Sequence, residues 1–278
     1  MRNLKTCLNE ATLMPYDIVT NIKTCGEVGF EGIEIWFNKL QDFLKRGGKI
    51  DELVNLLSTY NLKVAGCCGA VGGFMFLDPV EFSKKLVEIE ENLKILHKLE
   101  CEMVVVCPDV PPPRFTLKRA IEVAGETLKV VASICEKYNI KIGLEPLGMH
   151  PFVPDIKTAL KILEVASHEY VGLTLDTFHM YKSSVPIDDI RKLSPKQIAI
   201  VHIDDCEDLP KEKLTDANRL FPGEGVIPLI EFLRAFKDIG YQGFLSVEIF
   251  REEYWKLNPL TIARRSKNSL EKLLERIK

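Results

Sequence analysis

Long apolar runs are missing from this 278-residue chain. Nowhere do about 18 apolar residues follow one another, which excludes a membrane-spanning helix. The opening residues, MRNLKTCLNEAT, lack the apolar stretch of a secretion signal, so a cytoplasmic protein is expected. Charge of one sign is also missing. Lys and Arg total 37 against 40 acidic residues, a net charge of −3, and the basic residues are spread along the chain. That excludes a strong field favouring nucleic acid or an anionic membrane. The eight cysteines include no CxxC pair, which argues against a structural zinc site, and in a chain this long they do not make a disulfide framework. Cys7, Cys107 and Cys135 fall inside apolar patterns and are expected as buried thiols. Cys67 and Cys68, neighbours in a strand, should point to opposite faces and not share a metal. No GxGxxG follows the first strand-like run and no GxxxxGK[ST] occurs, so neither nucleotide-binding signature is present.

What is there is an alternation of strand and helix. Short apolar runs rich in Val and Ile predict strands at 4–10, 32–37, 63–71, 103–108, 141–147, 171–176, 198–204 and 244–250. Between them lie amphipathic stretches with start signals. Asp17, Asp51 and Asp155 are expected as helix caps, Pro79 and Pro228 as helix openers. Leu117, Ile121, Ala124, Leu128 and Val131 form an apolar stripe at helical spacing. A shorter helix is expected at 187–193, and the last from about 259 to the end. Gly29-Phe30-Glu31-Gly32 and Gly240-Tyr241-Gln242-Gly243 echo one another as helix exits into strands, with glycine supplying the left-handed turn. Eight strands with intervening helices imply a parallel sheet with right-handed crossovers. The expected fold is a single (β/α)8 TIM barrel over residues 1–278; the alternative is a doubly wound open sheet.

Four side chains then stand out. Glu145, Asp176, His202 and Glu248 close the fifth to eighth runs, KIGLEP, VGLTLD, IAIVHID and FLSVEI. Charged or metal-binding groups at the same end of successive buried strands are hard to explain by packing. In a barrel, the active site lies where strands end and the following loops begin. Three carboxylates and an imidazole suit one divalent ion such as Zn²⁺, Mn²⁺ or Co²⁺. Only five histidines occur. His97 and His168 are expected at the surface, while His150, His179 and His202 fall on one rim. His179 could hydrogen-bond a substrate oxygen or a metal-bound water, or be an ordinary loop residue; His150 sits in what also reads as a plain turn. The long acidic loop after His202 carries Arg219, which could bind a substrate oxygen or pair with nearby acids. Trp36 could wall a ring-shaped substrate or belong to the core. Glu145 and Glu248, on non-adjacent strands, could flank a substrate as base and acid, with Asp176 and His202 holding the ion. The chemistry this suggests is isomerisation or epimerisation of a polyhydroxy ketone through a metal-stabilised enediolate.

The segments CLNEAT at 7–12, LEP at 144–146, VGLTLDTFHM at 171–180, VHIDDCEDLP onward to DANRLFPGEG, and SVEIFREEYWKL at 246–257 resemble the xylose-isomerase-like TIM barrels, sugar isomerases and epimerases that also include endonuclease IV. The resemblance spans essentially the whole chain and is strongest toward the inosose (2-keto-myo-inositol) isomerases. It implies one divalent metal on Glu145, Asp176, His202 and Glu248, proton transfer by the two glutamates, and substrate contacts from His179 and Arg219. It also implies a small polyol ketone or sugar as substrate, converted from 2-keto-myo-inositol to 1-keto-D-chiro-inositol. The loop containing His150 and the stiff PDVPPP segment depart from the pattern. A ketose 3-epimerase, a hydroxypyruvate isomerase or an inosose dehydratase on the same scaffold would share these residues, and a non-catalytic sugar-binding protein is a rival of another class. Endonuclease-type DNA repair is disfavoured by the few histidines and the lack of a basic run. A homo-oligomer is compatible with this reading.

Overall fold

Short runs with no polar alternation have nowhere to sit except between two apolar layers, and that is where they are found in the computed structural model, which describes residues 4–277. Eight parallel strands close into a barrel: β1 (Lys5–Asn9), β2 (Gly32–Trp36), β3 (Lys63–Cys68), β4 (Met103–Val106), β5 (Lys141–Leu144), β6 (Val171–Asp176), β7 (Ile198–Ile203) and β8 (Phe244–Val247). Each pairs with its neighbours in sequence, and β8 returns to β1 with Leu8 opposite Val247. This is the expected (β/α)8 architecture, with the helices outside. No helix among the described residues is long and apolar enough to cross a membrane.

The outward faces of the strands pack against the helices in one large apolar cluster. The barrel interior is a second, smaller cluster of Cys7, Ala65, Cys68, Met103, Val105, Ile200 and Phe244. Cys67 belongs to the outer layer and Cys68 to the inner one, as alternation along β3 requires. Inside the barrel Met103 lies against two glycines. A Cβ on Gly143 would sit 2.2 Å from Thr174 Oγ1 and 2.6 Å from Met103 Cε; one on Gly66 would sit 2.6 Å from Met103 Sδ. Gly143→Ala is therefore expected to overpack the interior and lower stability by roughly 1–3 kcal/mol. A denaturant midpoint unchanged from the parent would show that the interior can give way.

Helix starts follow local chemistry. Asp17 accepts the Thr20 amide and Asp155 the Thr158 amide, each at 2.8 Å. Gly29 ends the helix Ile18–Val28 with a positive φ of 82°. Asp51 is not a cap: the helix Ile50–Thr59 has Lys49 in that place, and Asp51 lies in its first turn. There its carboxylate still meets the positive end of the helix dipole. The helix Phe37–Lys45 carries no capping side chain and begins directly on the heels of β2, so it has no sequence start signal. Several strands stop short of their expected ends. β1 gives way to a 3-10 turn at Glu10–Leu13, and β5 and β8 end just before Glu145 and Glu248.

Candidate metal centre

At the C-terminal end of the barrel, β5 to β8 deliver their polar ends to one point. His202 lies in register with Asp176 of β6 on one side and Ser246 of β8 on the other. The inward face of β7 thus carries Ile200 and then His202. Glu145 and Glu248 sit one residue past β5 and β8. One ligand atom from each of Glu145, Asp176, His202 and Glu248 lies within 4.8 Å of the others. His202 Nδ1 is 3.0 Å from Glu145 Oε1, 3.2 Å from Glu248 Oε2 and 3.8 Å from Asp176 Oδ2. All four residues are buried. Three carboxylates so close together in an apolar barrel repel one another unless a cation lies among them. The donor set, three oxygens and one imidazole nitrogen, is one that divalent zinc, manganese or cobalt accepts, so residues and ion fit.

The electrostatics record this crowding. Burial, reinforced by Glu248 and Asp176, pushes the Glu145 carboxyl up to about 7 against the pull of His202. Burial also disfavours the charged form of Asp176, but the Arg219 guanidinium overrides it and holds that carboxyl down at about 2. Burial opposes an imidazolium at His202, yet Glu248, Glu34 and Glu145 together raise it well above the ordinary histidine value. His179 goes the other way: burial lowers it to about 4.

Arg219 is held by the long loop after β7, which folds back as a two-stranded antiparallel pair of Asp205–Cys206 with Arg219–Leu220. Asp205 ties the loop down by accepting the Ile227 amide at 2.8 Å and the Gly223 amide at 3.1 Å. The guanidinium is 1% exposed, between the rings of Phe178 and Phe250. Its Nη1 donates to Asp176 Oδ2 at 2.6 Å and to Asp204. Nε and Nη2 donate to Asp216 Oδ1 at 3.1 and 3.0 Å, and Nη2 also to His179 Nε2 at 3.3 Å. Every N–H of the fork has an acceptor within the protein. The pairing with acids that the sequence left open is thus realised, and the residue that holds Asp176 in place is Arg219.

Above the four residues opens a cavity of about 510 Å³. Of the four, only Glu145 and Glu248 line it; Asp176 and His202 lie behind them. Trp36, His179, Arg219 and Phe250 also line it. Trp36 is edge-on to Phe250, centroids 5.8 Å apart, with its indole N–H donated to Asn9 Oδ1 at 2.9 Å. His150 does not line the cavity. Its Nδ1 accepts the amides of Phe152 and Val153, both at 3.2 Å, so it caps a turn. Cys107 is not a core thiol: β4 ends one residue earlier, and Cys107 is exposed on the cavity wall, its Sγ 3.8 Å from Glu145 Oε2. Three residues of this centre were not foreseen. Glu34, fully buried in β2, meets His202 Nε2 at 3.1 Å. Asn9 donates to Glu248 Oε1 at 3.0 Å, and Asp204 binds both Thr177 and Arg219. A lone acid inside the apolar run GIEIW was the available signal for Glu34.

The model of the family described as xylose isomerase-like TIM barrel matches residues 22–273. The chain belongs to that family. It is 30% identical to the inosose isomerase of Bacillus velezensis over 277 residues, 98% of each chain. With the inosose isomerase of Bacillus subtilis it shares 32% identity over 258 residues, 91% of this chain and 92% of that one. A crystal structure of IolI protein with a bound zinc atom superposes with a TM-score of 0.91 at 30% identity, covering 99% of both chains. The chain is accordingly an enzyme, an isomerase or epimerase.

Proposed function

We propose that the enzyme moves the carbonyl of a cyclic polyhydroxy ketone to the adjacent carbon, with 2-keto-myo-inositol as substrate and 1-keto-D-chiro-inositol as product. The observation that carries this reading is that, of the four converging residues, only the two glutamates reach the cavity. Glu145, Asp176, His202 and Glu248 would hold one zinc, manganese or cobalt ion. Such an ion supplies positive charge that polarises a ketone and steadies the enediolate derived from it. One glutamate takes the proton from the hydroxyl-bearing carbon beside the carbonyl, and the C–H electrons form the carbon–carbon double bond. The other returns a proton to the former carbonyl carbon, while the hydroxyl proton passes from one oxygen to its neighbour. Atoms and charge balance without an oxidant. Asn9 fixes Glu248 from behind, and the rings of Trp36 and Phe250 give the cavity an apolar wall for the ring of the substrate. The relatives named inosose isomerase support the choice of substrate. The eight cysteines, all free thiols, support a cytoplasmic setting.

The test is to incubate the zinc-loaded protein with 2-keto-myo-inositol in D₂O and follow the proton NMR spectrum. New inosose signals carrying deuterium, abolished by a chelator, are expected. A zinc-loaded protein that gives neither exchange nor product with this ketone would retire the substrate, and a panel of ketoses and other inososes would then locate the right one.

A further inference from the structure

Glu34 is a fourth carboxylate beside His202, and the proton transfers of the proposed reaction do not use it. It is 0% exposed, carried by the middle of β2, where an apolar residue would pack. Its surroundings are donors. Ser246 Oγ donates to its Oε2 at 2.7 Å, and the Cys68 thiol to its Oε1 at 3.4 Å. His202 Nε2 stands 3.1 Å from the same Oε1. Burying a carboxylate here is costly unless those donors face it, and a chain with no use for the charge would replace it by an apolar side chain.

The two nitrogens of an imidazole diverge, so what binds one decides what the other is free to do. His202 Nδ1 looks toward Glu145, Asp176 and Glu248; Nε2 looks the opposite way, toward Glu34. We propose that Glu34 is the positioning residue of the metal centre. By accepting the Nε2–H of His202, it fixes the ring and leaves the Nδ1 lone pair aimed at the ion. Glu34 itself is not a ligand, because the imidazole stands between it and the three other carboxylates. Ser246 holds the far oxygen of Glu34, so the carboxylate cannot turn away. The arrangement of carboxylate, imidazole and ion is the one in which an outer acid raises the donor strength of the ring and sets its tautomer. β2 thereby reaches the ion without supplying a ligand.

This inference rests on the reading of Glu145, Asp176, His202 and Glu248 as the site of a divalent ion, and the experiment separates the two. Zinc sulfate alone is the probe, titrated against a competing chelator, with the imidazole nitrogens followed in ¹⁵N-histidine-labelled protein. Wild-type protein that takes up no zinc would refute the site itself. If zinc binds, the wild-type His202 signals are expected to show Nε2 protonated and Nδ1 bound to metal, with the Nε2–H proton shifted downfield by its carboxylate partner. The opposite tautomer would overturn the proposal without any variant. Glu34→Gln keeps a hydrogen-bond acceptor but removes the charge. It is expected to bind zinc roughly 10–100-fold more weakly, with the Nε2–H proton moved upfield. A folded Glu34→Gln protein with wild-type zinc affinity and an unmoved proton would also overturn it, since a merely structural role for Glu34 predicts that result.

Discussion

Replacing Glu248 with glutamine is expected to lower kcat by about 10²–10⁴-fold and leave the fold in place. Glutamine has nearly the same shape, and its amide oxygen can still accept the Asn9 amide that now reaches Glu248 Oε1 at 3.0 Å. What it loses is the carboxylate charge, and with it the proposed ability to take and return a proton. Three readings on one sample separate the causes. Thermal melting reports the fold, bound zinc reports the site, and deuterium exchange into substrate reports the proton transfer. Loss of exchange with zinc and melting temperature retained would place the loss at the carboxylate. A fully active glutamine variant would refute the proposed mechanism.

Replacing Arg219 with methionine is expected to be the most destabilising single change in the centre. The side chain is fully buried, and removing it strands the carboxylates of Asp176 and Asp204 in the interior. Breaking a buried ion pair from one side costs about 3–5 kcal/mol. In a chain of this size that is a drop in Tm on the order of 10 °C. The effect should depend on pH in a direction fixed by Asp176. In the parent, its carboxyl is held at about 2 although burial alone would raise it, because Arg219 lies beside it. A lowered carboxyl contributes stability that is present above its unfolded value and is lost as pH falls through about 2. Without Arg219, the buried Asp176 should instead take a proton readily, so the variant recovers relative to the parent on acidification. Melting curves of the ion-free proteins between pH 7 and pH 4 check this; a gap that widens as pH falls would be the wrong sign.

Much of this centre is legible in the chain itself, for identifiable reasons. Glu145, Asp176, His202 and Glu248 each interrupt an apolar run at the same end, and a barrel converts equivalent positions along its strands into neighbours in space. The alternation of apolar runs with capped amphipathic stretches likewise marks the eight strands and the longer helices. Position along a strand does not reveal a partner on another strand. Glu34 and His202 are 168 residues apart and meet only because the barrel closes. The same blindness left Arg219 undecided between substrate and acids, since its five donors are counted only when Asp176, Asp204, Asp216 and His179 stand around it. His150 lies at the right rim, but its Nδ1 faces its own turn, where it accepts two amides. The helix Phe37–Lys45 starts without a cap and so leaves no mark in the sequence, and β4 is one residue shorter than its apolar run, which puts Cys107 outside the core.

All four converging side chains come from the second half of the barrel, β5 to β8. Another part of the cavity wall comes from the first half: Trp36 at the end of β2, the Gly69–Gly73 stretch after β3 and Cys107 after β4. The first half thus supplies cavity wall and, through Asn9 and Glu34, buttresses Glu248 and His202, but it supplies none of the four. Changes in the first-half loops can remodel what the cavity accepts while the four converging side chains stay where they are. A barrel wired in this way can exchange one reactant for another over generations without passing through an inactive ancestor.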